Sequence, residues 1–150
     1  MYKRQATYKA KNTYNRTRPF VAFKTGSCTP AEEAFLAKDG SYPSGHAALG
    51  WAWALVLTEL APERADALLQ RGRAFSQSRA ICGVHWQSDI EAGRLTGAAT
   101  VARLHANAVF VTQMQAAQRE IARARARGDA AGGDCGVEAA TLATSSRIAP

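Results

Sequence analysis

Hydrophobic side chains recur with helical spacing along most of this chain. Apolar residues three and four positions apart form one face in four segments, at about 46–60, 62–82, 86–106 and 108–127. No segment shows the strict alternation of apolar and polar residues that is typical of a half-buried strand. The pattern therefore predicts an all-α fold, in which the apolar faces of the helices pack together as a bundle.

The predicted helix over 86–106 carries small residues on its apolar face. Gly93 and Gly97 lie in register with Ile90, Val101 and Leu104. Because glycine has no side chain, we expect a neighbouring helix to approach closely at these two positions.

Polar and turn-forming residues separate the predicted helices. Thr29 followed by Pro30 and two glutamates predicts a short helix, with Thr29 as its N-cap, that stops near residues 39–40. Segment 41–46 is predicted to be a turn. Residues 1–30 are predicted to be an irregular or short helical opening that ends in a loop.

The end of the chain differs in composition from the rest. Residues 128–150 are rich in Gly, Ala, Ser and Thr, which predicts a flexible tail. With 150 residues, of which 47% are hydrophobic, the chain suits one packed domain. We therefore expect a single helical domain over residues 1–127, followed by a flexible tail over residues 128–150.

The charge of the chain is basic and unevenly distributed. There are 19 Lys and Arg residues against 12 Asp and Glu, and residues 1–31 carry seven basic side chains and no acidic one. A second basic cluster near the C-terminus consists of Arg119, Arg123, Arg125 and Arg127. Such charge attracts phosphate esters, nucleic acid or anionic lipid, although a solvated basic face is the commoner explanation for the C-terminal cluster.

No segment has the composition of a membrane span or of a signal peptide. The longest apolar run covers residues 47–57, whereas a span needs about 20 apolar residues. The first 18 residues are polar and lack the apolar stretch of a secretory signal.

The three cysteines do not form a metal-binding pattern. Cys28, Cys82 and Cys135 include no Cys-x-x-Cys pair, so a zinc site is not expected. One disulfide with one free thiol is compatible with the sequence, and Cys28–Cys82 is the favoured pair because Cys135 falls in the predicted tail. Spacing alone leaves the pairing open.

Several cationic and turn residues together suit a phosphate site. Lys11, Arg18 and Arg79 supply positive charge, and an arginine binds two phosphate oxygens at once. Ser44 adds a hydroxyl, and Gly45 lets an oxygen approach its backbone N–H at the start of a predicted helix. These five residues are the predicted phosphate ligands.

Two histidines and one aspartate supply the reactive groups. His85 and Asp89 are four residues apart and share a helix face, so Asp89 can orient one ring nitrogen while the other attacks phosphorus. His46 is the predicted general acid, which then activates water for the second step. A site that needs one neutral and one protonated histidine should favour mildly acidic pH, because an unperturbed histidine titrates near 6.5.

Three segments of the sequence resemble the signature of a known superfamily. The segments are Lys-x6-Arg-Pro at 11–19, Pro-Ser-Gly-His at 43–46 and Ser-Arg-x5-His-x3-Asp at 78–89. They resemble the type 2 phosphatidic acid phosphatase superfamily, which also contains vanadium haloperoxidases. The flanking residues at 16–21, 40–46, 77–89 and 104–107 resemble most closely the bacterial class A non-specific acid phosphatases, and the resemblance covers about residues 8–122.

The resemblance implies an activity and a compartment. It implies a metal-independent, cofactor-free phosphatase that hydrolyses phosphomonoesters through a phosphohistidine, in some members with transfer of phosphate to alcohols, and that works in the periplasm. It implies that His85 is the nucleophile, His46 the general acid and Asp89 the orienting partner, and that the five predicted phosphate ligands match. Class A enzymes carry further helices before the Lys-x6-Arg-Pro segment, which the ten residues before Lys11 do not supply.

Three other functions compete with the acid phosphatase. One is an inactive remnant or a basic module that binds polyanions, although neither basic cluster has the interleaved aromatics of a nucleic-acid site. Another is a vanadate-dependent haloperoxidase, and the third is a lipid phosphatase, which the lack of membrane spans disfavours. The expected partners are phosphomonoesters and inorganic phosphate and not nucleic acid, and the oligomeric state stays open, with a homo-oligomer among the outcomes.

Overall fold

The chain folds into a bundle of α-helices with no strand in the described residues. The computed structural model describes residues 5–130 and 132–145. The helices are α1 (Gln5–Tyr14), α2 (Pro19–Ala22), α3 (Glu33–Leu36), α4 (Gly45–Leu60), α5 (Ala65–Ile81), α6 (Gln87–Leu104), α7 (Ala108–Ala126) and α8 (Cys135–Ser145). Single 3₁₀ turns precede α3 at Pro30–Glu32 and α5 at Pro62–Arg64. The all-α prediction is confirmed.

Helices α4 and α6 pack against each other at the small residues of α6. A Cβ atom built on Gly93 would lie 2.5 Å from the backbone oxygen of Ser44, and one on Gly97 would meet the backbone oxygen of Ala48. Any larger side chain would therefore push the two helices apart. Ile90 and Val101, which share the apolar face of α6 with these glycines, are buried, as their spacing predicts.

Helix α5 covers another face of α4 in a similar way. The ring of Phe75 occupies the space that a side chain at Gly50 would need, and Ala54 lies against Gly72. Helix α4 is therefore enclosed by α5 and α6, so its start, where the Pro-Ser-Gly-His segment lies, is held firmly. Its bounds agree with the predicted 46–60 segment to within one residue.

The short predicted elements form with small differences. The helix predicted after Thr29 consists of the Pro30–Glu32 turn and α3, and Thr29 makes no side-chain capping hydrogen bond there. The opening of the chain contains the ten-residue helix α1 and the short helix α2. The segment that leads into α4 contains a cis peptide bond between Tyr42 and Pro43.

The segment predicted to be a flexible tail contains a helix. Helix α8 contacts α5 through the buried side chain of Leu142, whose backbone oxygen accepts a hydrogen bond of 3.0 Å from Gln70. Arg71 and Glu138 add an exposed ion pair of 2.7 Å. Composition did not indicate this helix, because only a few of its residues make specific contacts. The domain boundary at residue 127 stays a prediction, and residues 131 and 146–150 lie outside the described part of the chain.

A disulfide joins the loop before α3 to the end of α5. Cys28 and Cys82 are bonded, with their Cα atoms 4.9 Å apart, and Cys135 is exposed and unbonded. Within the described residues, no helix has the length and apolar composition that crossing a membrane requires.

Candidate functional site

A cavity of about 240 Å³ opens at the end of the bundle where α1, α4, α5 and the loop before α6 meet. Six of the eight predicted site residues line it: Lys11, Arg18, Gly45, His46, Arg79 and His85. The other two, Ser44 and Asp89, are fully buried beside residues of the wall. Groups from positions 11 to 89 of the sequence are thus brought to one place.

The N-terminus of α4 forms one wall of the cavity. Ser44 is the N-cap, and its Oγ accepts a hydrogen bond of 3.2 Å from the backbone N–H of Ala47. The backbone N–H of Ser44 donates to the backbone oxygen of Asp89 at 2.9 Å, which fixes this turn against the start of α6. Gly45 lines the cavity with no side chain, so an anion can approach the helix end, where backbone N–H groups are without intrahelical partners.

His85 is placed by a tight turn between α5 and α6. Gly83 adopts a positive φ of 71°, which favours glycine. The backbone N–H groups of Val84 and His85 both donate to the backbone oxygen of Arg79, each at 3.2 Å. The turn therefore brings Arg79 and His85 to the same side of the cavity.

The His85 side chain is buried and oriented from both ring nitrogens. Its Nδ1 lies 3.4 Å from Asp89 Oδ2, and its Nε2 lies 3.3 Å from Arg18 Nη1. Because a guanidinium can only donate, Nε2 is the acceptor in this pair and Nδ1 carries the proton that points to Asp89. The tautomer left by these contacts has its lone pair on Nε2.

The environment favours the neutral form of the His85 ring. Burial lowers the pKa of His85 below its usual value, and the nearby charges of Arg18 and Lys11 lower it further, whereas the hydrogen bond to Asp89 acts in the opposite direction. A neutral imidazole is the nucleophilic form.

Asp89 is the third residue of α6, and its carboxylate is fully buried. Its Oδ2 accepts from the backbone N–H of Trp86 at 2.9 Å, a bond that also satisfies a free donor at the helix start. Burial acts to raise the pKa of Asp89, but the hydrogen bonds from His85 and Trp86 and the charge of Arg16 outweigh it, so the pKa is lowered. The group therefore stays a carboxylate.

Arg16 is a residue that sequence reasoning did not assign to the site. Its Nη1 donates to Asp89 Oδ1 at 2.8 Å and to Ser88 Oγ at 2.7 Å, and its guanidinium lies 5.3 Å from the centre of a Trp86 ring. Arg16 is the first of the residues 16–21 that carry part of the family resemblance, but only its distance to Asp89 in the fold reveals the contact. Arg16 thus occupies the carboxylate oxygen that His85 does not use.

Arg18 is buried and bonded mainly to the backbone. Its Nε donates to the backbone oxygens of Leu36 and Asp39 at 2.9 and 3.0 Å, and its Nη1 donates to that of Val84 at 2.9 Å. Its Nη2 donates to the backbone oxygen of Gly40 at 3.4 Å and forms an ion pair of 2.9 Å with Asp39 Oδ2. Burial lowers the pKa of Arg18, yet arginine remains charged in proteins.

Lys11 and Arg79 complete the cationic lining. Lys11 Nζ donates to the backbone oxygen of Gly40 and lies 3.6 Å from Asp39 Oδ2. Burial lowers the pKa of Lys11, and so does the charge of Arg18, against the opposing effect of Asp39. Among the described residues, the Arg79 side chain makes two long hydrogen-bond contacts, 3.4 Å to Ser78 Oγ and 3.7 Å to Cys82 Sγ.

His46 is the second residue of α4 and lines the same cavity as His85. Its ring centre lies 6.3 Å from that of Phe75, and its side chain is exposed. The cavity therefore combines a buried histidine, a solvent-accessible histidine, three cations and a helix N-terminus. Such a set can bind a phosphoryl group and transfer it. Among the described residues, no three His, Cys, Asp or Glu side chains are grouped as they would be around a metal ion.

Comparison with known proteins identifies the family of this chain. The family model of the PAP2 superfamily matches residues 5–115. The chain is 49% identical over 118 residues to a non-specific acid phosphatase of Providencia stuartii, a match that covers 79% of this chain and 48% of the relative. It is 52% identical over 116 residues to a non-specific acid phosphatase of Salmonella typhimurium, covering 77% of this chain and 46% of the relative.

A third relative is more distant and gives the same result. The chain is 46% identical over 117 residues to an acid phosphatase of Zymomonas mobilis, a match that covers 78% of this chain and 44% of that protein. The chain thus spans about half the length of the curated relatives that it matches. The family model, in contrast, covers most of the chain and includes every predicted site residue. The resemblance seen in the sequence is confirmed, and the chain belongs to the PAP2 superfamily.

Proposed function

We propose that this chain is an acid phosphatase that hydrolyses phosphomonoesters through a phosphohistidine at His85. The observation that carries the proposal is the two-sided orientation of the buried His85 ring. Asp89 engages Nδ1 at 3.4 Å, which leaves the Nε2 lone pair beside the cations of the cavity. The names of these relatives, all acid phosphatases, support the phosphatase activity.

The substrate phosphate binds among the cations of the cavity. Lys11, Arg18 and Arg79 neutralise its oxygens, and the backbone N–H groups at Gly45 receive one of them. Because charge spreads over the three non-bridging oxygens in the transition state, several fixed donors lower the barrier more than one would. The Ser44 hydroxyl is a further predicted ligand that already accepts the capping bond from Ala47.

The first chemical step forms a bond between His85 Nε2 and phosphorus. The bond from phosphorus to the leaving oxygen breaks, and His46 donates a proton to that oxygen, so a neutral alcohol departs. The positive charge on the phosphorylated imidazole is stabilised by the Asp89 carboxylate, which retains its hydrogen bond to Nδ1.

The second step reverses the roles. His46, now neutral, removes a proton from water, and the water oxygen attacks phosphorus as the bond to Nε2 breaks. Inorganic phosphate leaves, and both histidines return to their starting states. An alcohol in place of this water gives a new phosphate ester, so the same groups account for phosphotransferase activity. No step calls for a metal ion, and we propose that the reaction is metal-independent.

The disulfide supports an oxidising compartment such as the periplasm. Cys28–Cys82 links the loop before α3 to the end of α5, close to Arg79. Structural disulfides persist in the periplasm and are rare in reducing cytosol. We therefore propose that the chain works outside the cytoplasm.

Ion pairs in the C-terminal basic cluster weaken the polyanion-binding alternative. Arg125 pairs with Glu63, and Arg127 lies 2.6 Å from Asp129. Charges that are already paired attract a polyanion less strongly. The phosphatase proposal instead uses cations that converge on one cavity.

Hydrolysis of p-nitrophenyl phosphate at pH 5–6, with a chelator present, tests the proposal. The unmodified chain, His85→Ala and His105→Ala are compared. His105 is the matched control, because this third histidine also contacts a carboxylate but does not line the cavity. We expect His85→Ala to lower turnover by about 10³-fold or more, whereas His105→Ala retains it.

The nature of the intermediate needs a separate measurement. Rapid quench of the unmodified chain with ³²P-labelled substrate should trap label that is stable to alkali and labile to acid, as a phosphoramidate bond is. Retained turnover in His85→Ala would show that another residue is the nucleophile. Inactivity of the folded, unmodified chain would refute the phosphatase proposal and favour the remnant.

A further inference from the structure

Asp39 places a carboxylate inside the cationic cavity. The Oδ2 atom of Asp39 lies 2.9 Å from Arg18 Nη2 and 3.6 Å from Lys11 Nζ. Asp39 lines the cavity, and about a quarter of its side chain is exposed. A negative charge at this place opposes the binding of an anion, because like charges within a few ångströms repel. The sequence predicted only that a helix stops near this residue.

The carboxylate is not required to hold the two cations. Arg18 donates to backbone oxygens from Nε, Nη1 and Nη2, and Lys11 donates to the backbone oxygen of Gly40. Backbone groups would keep both cations in place if the side chain of Asp39 were made neutral. The carboxylate therefore acts mainly through its charge and its ability to accept a hydrogen bond.

A phosphate group exists in two charge states over the relevant pH range. A monoester is a dianion above its second pKa of about 6 and a monoanion with one P–OH group below it. A carboxylate repels the dianion, whereas it can accept a strong hydrogen bond from the P–OH of the monoanion.

We propose that Asp39 makes the cavity select the singly charged form of phosphate, by accepting a hydrogen bond from its P–OH group. The inference rests on the proposed function, because it assumes that phosphate binds at Lys11 and Arg18. It identifies the charge state in which the substrate binds. The charge state of the ligand is then a second reason, besides the titration of the histidines, for a preference for acidic pH.

Other titratable groups also affect anion binding at this place. The charged or titratable side chains that face the cavity with Asp39 come from every element of its wall and are Tyr8, Lys11, Arg18, Glu32, His46, Arg79 and His85. Protonation of the histidines strengthens the binding of any anion at low pH. A probe that stays a dianion throughout is therefore needed to separate protein titration from ligand titration.

Calorimetric titration with inorganic phosphate and with sulfate, at pH 5 and pH 8, makes this separation. Sulfate is a dianion at both values, so the pH dependence of its affinity reports the titration of the protein's own groups. Protonated histidines strengthen the binding of the sulfate dianion more than that of the phosphate monoanion, so they cannot produce a preference for phosphate at pH 5. In the unmodified chain we expect the preference for phosphate over sulfate to fall about tenfold from pH 5 to pH 8. In Asp39→Asn the ratio should change less than about threefold, and sulfate should bind about tenfold more tightly.

Two further variants test whether the effect belongs to this carboxylate. Asp39→Glu keeps a carboxylate and should keep the pH-dependent ratio. Glu32→Gln removes a charge from another part of the wall and should change the ratio less than Asp39→Asn does. An equal change in Glu32→Gln would assign the effect to the net charge of the cavity and overturn the inference.

The unmodified chain alone supplies a test that does not depend on any variant's folding. If its phosphate-to-sulfate ratio is the same at pH 5 and pH 8, the inference is wrong while the phosphatase proposal stands. Weaker sulfate binding in a folded Asp39→Asn would show that the carboxylate holds the cations in place, and it would overturn the inference. If neither anion binds the folded, unmodified chain, both proposals fail.

Discussion

Helix α6 has a histidine–carboxylate pair near each of its ends. The two pairs contain the same kinds of side chain but differ in distance, burial and neighbouring charge. At the N-terminal end, His85 Nδ1 lies 3.4 Å from Asp89. At the C-terminal end, His105 Nε2 lies 2.9 Å from Glu59, which α4 supplies. The second pair has the shorter distance, yet the first lies at the cavity.

Burial and neighbouring charge separate the two pairs. The side chains of His85 and Asp89 are 4% and 0% exposed, whereas those of His105 and Glu59 are 41% and 42% exposed. Burial lowers the pKa of His85, with help from the adjacent cations. In contrast, hydrogen bonds to the Val101 backbone oxygen and to Glu59 raise the pKa of His105.

A histidine–carboxylate pair does not by itself make a nucleophile. An exposed pair favours the protonated imidazole, which has no lone pair for attack. In the buried pair, burial and the two neighbouring cations favour the neutral ring, and the carboxylate still orients it. Substitutions at the two ends of α6 should therefore differ greatly in their effect on catalysis.

Loss of the carboxylate charge should have the largest effect, and only at the cavity end. Asp89→Asn is expected to lower kcat by about 10³-fold or more, because an amide can donate to His85 Nδ1 and stabilise the wrong tautomer. Glu59→Gln, the equivalent change at the other end, should leave kcat within about twofold. Steady-state assays of both variants make the comparison, and a similar loss in each would contradict it.

Loss of a cavity cation should weaken phosphate binding as well as turnover. Arg79→Ala is expected to raise the inhibition constant of inorganic phosphate about 10- to 100-fold, since charge-assisted hydrogen bonds to the anion disappear. Arg103→Ala, in the last turn of α6, is the control outside the cavity. His85→Gln should still bind phosphate although it lacks turnover. An unchanged inhibition constant of inorganic phosphate in Arg79→Ala would show that this arginine does not bind the phosphate.

Arg16 offers a smaller effect that acts through Asp89. Because Arg16 does not line the cavity, Arg16→Ala should lower kcat about tenfold with little change in KM. Its loss removes a charge that lowers the pKa of Asp89, so the acid limb of the kcat profile should move to higher pH. Arg16→Lys should restore part of the activity. An unshifted pH profile would leave Arg16 with a structural role only.

The sequence predicted the parts of the molecule that depend on local pattern. Helices α4, α6 and α7 follow their apolar spacing, and Gly93 and Gly97 lie where α4 crosses α6. Arg16 and Asp39 were missed because their roles depend on partners up to 73 residues away. Only the fold brings such polar contacts together, and no spacing rule encodes them.

The roles predicted for the site residues remain to be tested, although the fold brings the residues together. Six of them line one cavity, and Ser44 and Asp89 lie buried beside it. Helix α8 was not predicted, because its Ala- and Thr-rich sequence resembles a tail and its contacts with α5 depend on Leu142 and Glu138. Composition reports an average tendency and does not show which single residues will make contacts in the fold.

The two histidines should also change the pH dependence of stability in opposite directions, which is the smallest effect expected. The folded-state pKa of His85 is lowered, so its contribution to stability is lost as pH falls from about 6.5 towards that pKa. The folded-state pKa of His105 is raised, so its contribution is present below about pH 6.5 and is lost as pH rises through the folded value.

Thermal melts between pH 5 and pH 8 should therefore show a smaller fall in Tm on acidification for His85→Gln and a larger fall for His105→Gln. Asp89 does not interfere in this window, because its lowered pKa places its own loss of stability below about pH 4. Parallel Tm curves for the two variants would mean that the ends of α6 do not differ as their burial and charges require.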